Sequence, residues 1–246
     1  MRQKDQDQTL VLIKPDALKN SLTGYVLSIL SEFHTGLRFA GTKIVHVSKL
    51  LAEEHYTEHK GKSFFPPLIE YIRGISHNPD SPAARRVIAI VFQGTDAVKK
   101  IREVAGPTNP HKARESRPGC IRSLGTIVPL HNAAGEVIGE RMDNLVHASA
   151  TDDEAEREIK LWFKPSDIPP FMRIYPTQQC DEHFYYKNKN VFTTHEPDSV
   201  CIFAPGDIAW ESDLIGIHAF LNNKPAICSL EAIIAKYLVN DIRDAE

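Results

Sequence analysis

The order of the predicted strands and helices indicates an α+β fold in which helices pack on one antiparallel sheet. Apolar runs at residues 9–13, 37–47 and 87–92 have the length and composition of strands. Helical segments separate these runs, and a further strand at residues 144–149 leads directly into a capped helix. This order does not readily give an alternating parallel sheet, but it fits a split arrangement with the helices on an antiparallel sheet.

A helix is predicted directly after the first strand. The apolar residues Val26, Ile29, Leu30 and Phe33 recur at helical spacing, which places them on one inward face. Gly36 is predicted to end this helix, because glycine commonly follows the last helical turn. The second strand then begins at once.

A helical hairpin is predicted between the second and third strands. Ser48 is placed to cap a helix that runs to about Glu58, and Pro66 and Pro67 suit the first turn of the next helix. The third strand is apolar at nearly every position, which favours a central strand covered on both faces. Thr95 is predicted to cap the helix that follows it.

The next segments lead to the fourth strand and its helix. Residues 105–124 are predicted to form a long loop rich in Gly, Pro and Arg, and runs at residues 126–130 and 137–140 indicate a hairpin. Thr151 and Glu154 have the spacing of a capping box at the start of the helix after the fourth strand. This helix has the clearest start signal in the chain.

The C-terminal third differs from the rest in its frequent prolines and scattered aromatic residues. Short strands are predicted near residues 191–194 and 199–203, and a final helix with an apolar stripe is predicted after Ser229. We predict one domain at residues 1–164 and a C-terminal extension at residues 165–246, whose role the sequence leaves open.

Composition is that of an ordinary soluble protein. Of the 246 residues, 42% are hydrophobic and 25% are charged, and no apolar run approaches the roughly 20 residues of a membrane helix. The N-terminus lacks the apolar core of a secretory signal, and the four cysteines are widely spaced, so we expect a cytoplasmic protein with reduced thiols. The net charge of −3 argues against broad attraction to nucleic acid or to a membrane.

His147 is the candidate nucleophile. It lies on the fourth strand, and much of an imidazole is unprotonated near neutral pH, whereas serine or lysine must first lose a proton. Around residues 105–124 several arginines, including Arg102 and Arg122, could bind phosphate oxygens in pairs, and Lys14 could assist them. The alternatives are a buried structural histidine, a solvated basic loop and a solvated lysine at a strand end.

Six sequence blocks, taken in order, closely resemble the nucleoside diphosphate kinase family. The blocks are TLVLIKPD (residues 9–16), HY with Lys60 and Phe64-Phe65 (residues 55–65), GPTNP (residues 106–110), RPGCIR (residues 117–122), NLVHAS (residues 144–149) and EIKLWF (residues 158–163). The resemblance covers most of residues 8–165 and implies a ferredoxin-like fold, with a four-stranded antiparallel sheet covered by helices. It also implies ping-pong transfer of the γ-phosphoryl of a nucleoside triphosphate to a nucleoside diphosphate through a phosphohistidine.

The resemblance also assigns the residues of the site. It implies a catalytic group of His147, Lys14, Asn144, Glu158 and Ser149, in which Glu158 orients the histidine. It implies a nucleotide-binding group of Lys14, Tyr56, Phe64, Arg102, Thr108, Arg122 and Asn144, with Phe64 stacked on the base. Mg²⁺ is expected to arrive on the nucleotide phosphates without a protein ligand, and a homo-oligomer is expected, with no membrane and no specific nucleic acid among the partners.

The chain departs from the family pattern at four places. Ala148 and Ala150 replace a glycine and an aspartate that usually follow the histidine, and insertions occur near residues 76–85 and 124–141. The second insertion is predicted to form a rim of the site or a subunit contact. These departures leave open a nucleotide-binding regulatory module with little turnover, while a ferredoxin-like nucleic-acid binder is disfavoured by the balanced charge.

Overall fold

The protein divides into two compact units. The computed structural model describes residues 6–132, 134–226 and 228–238. Contacts between Cα atoms divide the chain into Met1–Ile159 and Lys160–Glu246. The domain limits taken from the sequence, residues 1–164 and 165–246, stay a prediction.

The first unit contains six strands and the helices between them, within the described residues. The strands are β1 (Asp7–Ile13), β2 (Arg38–Val45), β3 (Val87–Gly94), β4 (Thr126–His131), β5 (Val137–Asp143) and β6 (Val146–Ala148). The helices that begin in this unit are α1 (Pro15–Lys19), α2 (Thr23–Ile29), α3 (Glu32–Thr35), α4 (Lys49–His55), α5 (Phe65–Ile72), α6 (Ala97–Ala105), α7 (Pro110–Ser116) and α8 (Asp152–Trp162).

Four of these strands form one antiparallel sheet in the order β2-β3-β1-β6. The predicted ferredoxin-like α+β fold is confirmed. In the register of this sheet, Leu12 of β1 lies opposite His147 of β6. The short strand β6 is therefore fixed against the most buried part of the sheet, and it brings His147 to the sheet edge.

The core explains why the central strands are apolar at almost every position. Val11, Ile13, Ile90 and Phe92 are completely buried in one cluster with residues of α2 and α6. Because β1 and β3 are covered on both faces, their sequences lack the polar alternation of a half-exposed strand. The site is thus carried by a rigid part of the molecule.

The helix predicted after the first strand was wrong in detail. The predicted single helix breaks after Leu30 into α2 and α3, so Phe33 is 92% exposed instead of facing inward. The break shifts the helical register, which sequence spacing does not reveal. Gly36 does end α3, in the left-handed conformation, as predicted.

The capping predictions have mixed outcomes. Ser48 caps α4 by accepting a hydrogen bond from the Leu51 amide (3.1 Å), but α4 ends at His55 rather than near Glu58. The residue at the start of α6 is Asp96, in the left-handed conformation, rather than Thr95. The tight connection from β3 moves the cap by one residue.

The predicted long loop contains a helix. Asn109 caps α7 through its side-chain oxygen, which accepts from the amides of His111 (2.9 Å) and Lys112 (3.2 Å). Asn followed by Pro110 is a recognisable start signal, with proline in the first helical turn. The predicted hairpin is confirmed as β4 and β5. Of the predicted capping box, the first half is present, since Thr151 Oγ1 accepts from the Glu154 amide at 3.2 Å, whereas the Glu154 carboxylate accepts from the Ala150 amide (3.0 Å).

The second unit has its own core. Its elements are β7 (Thr177–Gln179), β8 (Phe184–Lys187), β9 (Asn190–Phe192), β10 (Val200–Phe203), β11 (Ile208–Trp210), α9 (Glu211–Leu221) and α10 (Leu230–Leu238). Strands β10-β8-β9 form one small sheet and β11-β7 another. A buried ion pair joins Lys236 Nζ to Asp213 Oδ2 (2.6 Å), and the Tyr237 hydroxyl donates to the same oxygen. The predicted final helix corresponds to α10, whereas α9 was missed.

Within the residues described, no helix combines the length and apolar character that crossing a membrane requires.

Candidate active site

His147 is held at one ring nitrogen by a buried carboxylate. Its Nε2 lies 2.9 Å from Oε2 of Glu158, whose side chain is 3% exposed, while the His147 side chain keeps 16% exposure. A carboxylate accepts hydrogen bonds only, so Nε2 carries the proton in this contact. The Nδ1 atom of the neutral ring therefore keeps its lone pair.

Ser149 completes the support of this carboxylate. The hydroxyl of Ser149 donates to Glu158 Oε2 (2.7 Å), and the Leu10 amide donates to the Ser149 oxygen (3.2 Å). Burial by itself raises the pKa of Glu158, but the electrostatic effects of His147 and His55 and the hydrogen bonds from His147 and Ser149 lower it to about 2. Glu158 is thus an ionised acceptor near neutral pH, and its burial distinguishes it from the solvated acids common on helix surfaces.

His55, which sequence reasoning did not assign to the site, packs against the candidate nucleophile. The two rings lie edge to face with centroids 4.4 Å apart, and Tyr56 lies 6.2 Å from the His147 ring. Burial and then the neighbouring His147 hold the pKa of His55 well below its ordinary value, so His55 is neutral. A histidine at the C-terminal end of α4, next to the tyrosine, was the available signal.

His55, His147 and Glu158 could together hold a metal ion, since one ligand atom from each lies within 4.8 Å of the others. Two imidazoles and one carboxylate suit zinc and similar ions, whereas Mg²⁺ prefers oxygen ligands in octahedral geometry. The carboxylate is already engaged by His147 and Ser149. We therefore interpret the group as a hydrogen-bonded network and assign it no magnesium.

Lys14 is buried rather than solvated. Its ammonium donates to Asn144 Oδ1 (2.7 Å), and Asn144 Nδ2 donates to the backbone oxygen of Thr108 (2.8 Å). Lys14 is 5% exposed, and burial lowers its pKa to about 7, with Asp16 and Asp143 opposing this effect and Arg122 adding to it. This ammonium can gain or lose its proton near neutral pH.

The peptide that carries Asn144 forms a strained turn. Leu145 has φ +68°, a region that non-glycine residues rarely adopt, and the Val146 amide bonds back to the Asn144 oxygen at 2.8 Å. Asp16 accepts from the Leu145 amide (2.9 Å), and the Tyr71 hydroxyl accepts from the Asn144 amide (3.2 Å). These two anchors, both missed at the sequence level, offset the strain.

The predicted arginines divide into two groups. Arg122 is buried, donates to the oxygens of Gly106 (2.8 Å) and Val146 (3.2 Å), and has its pKa lowered to about 10 by burial and then by Arg102. Arg102 is exposed and close enough to repel it. Arg114, in contrast, donates to two backbone oxygens of its own segment and serves the loop structure.

Phe64 and Thr108 lie at exposed positions. Phe64 is 46% exposed and is therefore not a core residue, and its ring contacts His59 and Lys62. Thr108 contributes its backbone oxygen to Asn144. Stacking of Phe64 on a base and a role for the Thr108 hydroxyl stay predictions.

The replacements next to the histidine cause no backbone strain. Ala148 is a regular residue of β6 opposite Val11, and it is not among the residues with positive φ. The Ala150 amide donates to the Glu154 carboxylate (3.0 Å), which supports the start of α8.

An antiparallel α+β domain that presents an oriented imidazole beside Lys14, Arg102 and Arg122 has the arrangement of a phosphotransferase. The comparisons with known proteins agree. The nucleoside diphosphate kinase family model matches residues 7–168. The chain belongs to the nucleoside diphosphate kinase family, and it is an enzyme of phosphoryl transfer.

Similar proteins come from archaea and bacteria. The nucleoside diphosphate kinase of Pyrococcus furiosus is 38% identical over 183 residues, which span 74% of this chain and 95% of the relative. That of Thermococcus kodakarensis is 36% identical over 168 residues, 68% of this chain and 83% of the relative.

Solved structures of such kinases are also similar. The Aquifex aeolicus enzyme has a TM-score of 0.53 at 27% identity and covers 67% of this chain and 99% of its own. The Halobacterium salinarum enzyme, determined in complex with CDP, has a TM-score of 0.51 at 30% identity and covers 68% and 94%.

Proposed function

We propose that His147 carries the phosphoryl group between two nucleotides. Nδ1 attacks the γ-phosphorus of a nucleoside triphosphate, a P–N bond forms, and the bond to the β,γ-bridging oxygen breaks to release a nucleoside diphosphate. The terminal phosphate oxygen of a second diphosphate then attacks the same phosphorus and restores the imidazole. The observation that carries this proposal is the bond from His147 Nε2 to buried Glu158, which leaves Nδ1 unprotonated.

Glu158 has an electrostatic role in this step. When Nδ1 bonds to phosphorus the ring becomes positively charged while Nε2 keeps its proton. An ionised, hydrogen-bonded carboxylate at 2.9 Å stabilises that charge more in the transition state than in the ground state. Ser149 supports this role by fixing the carboxylate oxygen.

The cations and the base-binding residues complete the proposed site. Lys14, Arg102 and Arg122 neutralise the phosphates, while Tyr56, Thr108 and Asn144 line them. Stacking on Phe64 discriminates little between bases. The CDP bound to the Halobacterium salinarum relative is consistent with a pyrimidine acceptor for this chain too.

Mg²⁺ belongs to the substrate in this proposal. It would arrive with the nucleotide and offset the charge of the phosphates. Two imidazoles and one carboxylate, from His55, His147 and Glu158, do not match the preference of Mg²⁺ for oxygen ligands. The proposed reaction therefore needs no ion held by the protein.

The remaining parts of the proposal concern the setting of the enzyme. We infer a cytoplasmic homo-oligomer with nucleoside di- and triphosphates as partners, and with neither a membrane nor a specific nucleic acid. Cys120, Cys180 and Cys201 form no disulfide, which is typical of a reducing compartment. The edge strand β2 exposes Phe39 and Ile44, which supports contact with a second copy.

Labelling the wild-type protein tests the proposed function. With [γ-³²P]ATP and magnesium we expect an acid-labile, alkali-stable phosphoprotein whose label moves to added GDP or CDP. A nucleotide-binding module without turnover would bind both nucleotides and yield no labelled protein. That result would replace the proposal by the regulatory alternative.

Nucleotide binding is expected to take up protons through Lys14. The pKa of Lys14 is about 7 without nucleotide, and phosphate charge placed beside it raises this pKa in the complex. The contribution of Lys14 to nucleotide affinity is therefore fully present below the pKa of the free protein and is lost as pH rises through the higher pKa of the complex. Calorimetry at about pH 8 in buffers of different ionisation enthalpy measures the uptake. Lys14→Gln should remove the part of the proton uptake that is due to Lys14. An uptake equal to that of the wild type in this variant would contradict the role of Lys14.

A further inference from the structure

The two insertions that depart from the family pattern meet at one carboxylate. His77, from the first insertion, places Nε2 2.8 Å from Oδ2 of Asp143. Arg141, at the end of the second insertion, donates from Nε to Oδ1 (2.6 Å) and from Nη2 to Oδ2 (3.1 Å). The side chains of His77 and Asp143 are 7% and 10% exposed, so this is a buried network rather than a surface ion pair.

The network is continuous with the residues that hold Lys14. Asp143 directly precedes Asn144, whose side chain accepts from the Lys14 ammonium. Tyr71 links the same residues a second time, because its ring packs on His77 at 5.3 Å and its hydroxyl accepts from the Asn144 amide. Movement of the Asp143 carboxylate would therefore displace the start of the strained turn at Leu145.

We propose that His77, Arg141 and Asp143 are positioning residues for phosphoryl transfer, which fix Asn144 and through it the ammonium of Lys14. The inference rests on the proposed function and deepens it. A group that is held by two donors at a carboxylate has little freedom, and displacement of a catalytic group by about 1 Å can cost about 10²-fold in rate. Both insertions thus contribute to holding the residue before Asn144.

Asp143 also affects the charge of Lys14. Among the described titratable residues, those near the ammonium are Asp16 from α1, His55 from α4, Tyr71 from α5, Arg122 from the turn before β4, and Asp143 from the end of β5. Burial lowers the Lys14 pKa most, and Asp143 raises it. Burial by itself raises the pKa of Asp143, but the hydrogen bonds from His77 and Arg141 hold that pKa below its ordinary value. Asp143 is therefore ionised near neutral pH.

Steady-state kinetics of matched variants test this inference. We expect Asp143→Asn and His77→Leu to lower kcat about tenfold, with KM for ATP and GDP within about twofold, because chemistry is misaligned more than binding. The pH profile of kcat should be measured from about pH 6 to 9. In Asp143→Asn its alkaline limb should move towards lower pH, because Lys14 becomes less basic. Asp80→Asn and Glu140→Gln, at exposed positions of the same insertions, are the controls and should match the wild type.

A conservative variant separates positioning from stability. His77→Gln keeps a donor near Nε2 and should recover most of the kcat that His77→Leu loses. If Asp143→Asn, folded with an unchanged Tm, keeps the wild-type kcat and pH profile, the inference is wrong. Equal losses in His77→Gln and His77→Leu that follow a lowered Tm would also overturn it, whereas an unlabelled wild type would overturn the proposed function itself.

Discussion

Replacing His147 by alanine is expected to abolish both the phosphoprotein and nucleotide turnover. In the proposed reaction the imidazole of His147 supplies the atom that bonds to phosphorus, whereas Ser149, which also contacts Glu158, is completely buried. His55 is fully buried and Tyr56 keeps its proton, because burial raises the Tyr56 pKa. We expect a loss of at least about 10⁵-fold in kcat, comparable with the removal of other nucleophiles.

The fold should tolerate this substitution. His147 is partly exposed on an edge strand, and its neighbours Val146 and Ala148 carry the buried contacts of β6. Circular dichroism and Tm establish folding, and labelling with [γ-³²P]ATP measures the intermediate. His131→Ala, at an exposed position of β4, is the matched control and should retain the label. A labelled His147→Ala protein would place the nucleophile elsewhere.

Replacing Glu158 by glutamine is expected to lower kcat about 10²-fold with little change in KM. Glutamine can keep an acceptor at the position of Oε2 but removes the charge that stabilises the phosphorylated ring. Hydrogen bonds to charged groups contribute about 1.5–3 kcal/mol, which corresponds to about 10–150-fold in rate. Glu158→Ala should lower kcat further, because the ring of His147 is then free to change tautomer and orientation.

Two measurements make this prediction specific. ¹⁵N NMR of the wild type should show the Nε2-protonated tautomer of His147, and Glu158→Ala should show a mixture. Asp153→Asn removes an exposed carboxylate from the same helix and should leave kcat nearly unchanged. Wild-type kcat in Glu158→Gln, or an Nδ1-protonated ring in the wild type, would contradict the role given to Glu158.

Local sequence patterns predicted much of the fold. The strands at residues 9–13 and 87–92 were found because burial on both faces requires apolar residues at every position. Capping signals placed the starts of α4 and α8 because they depend on side chains next to the helix. The break after Leu30 was missed, since a change of helical register leaves the apolar spacing intact while it turns Phe33 outward.

The sequence by itself determined the order of the four sheet strands and, through the family blocks, the candidate nucleophile His147 with its candidate partner Glu158. Only the tertiary structure decided the environment of each group. Lys14 and Asn144 are 130 residues apart, yet their contact and burial set the Lys14 charge. The same holds for His77 and Asp143, which are 66 residues apart and lie in segments with no shared local pattern. The burial and the protonation state of a group depend on all of its neighbours in space, and most of those neighbours are distant along the chain.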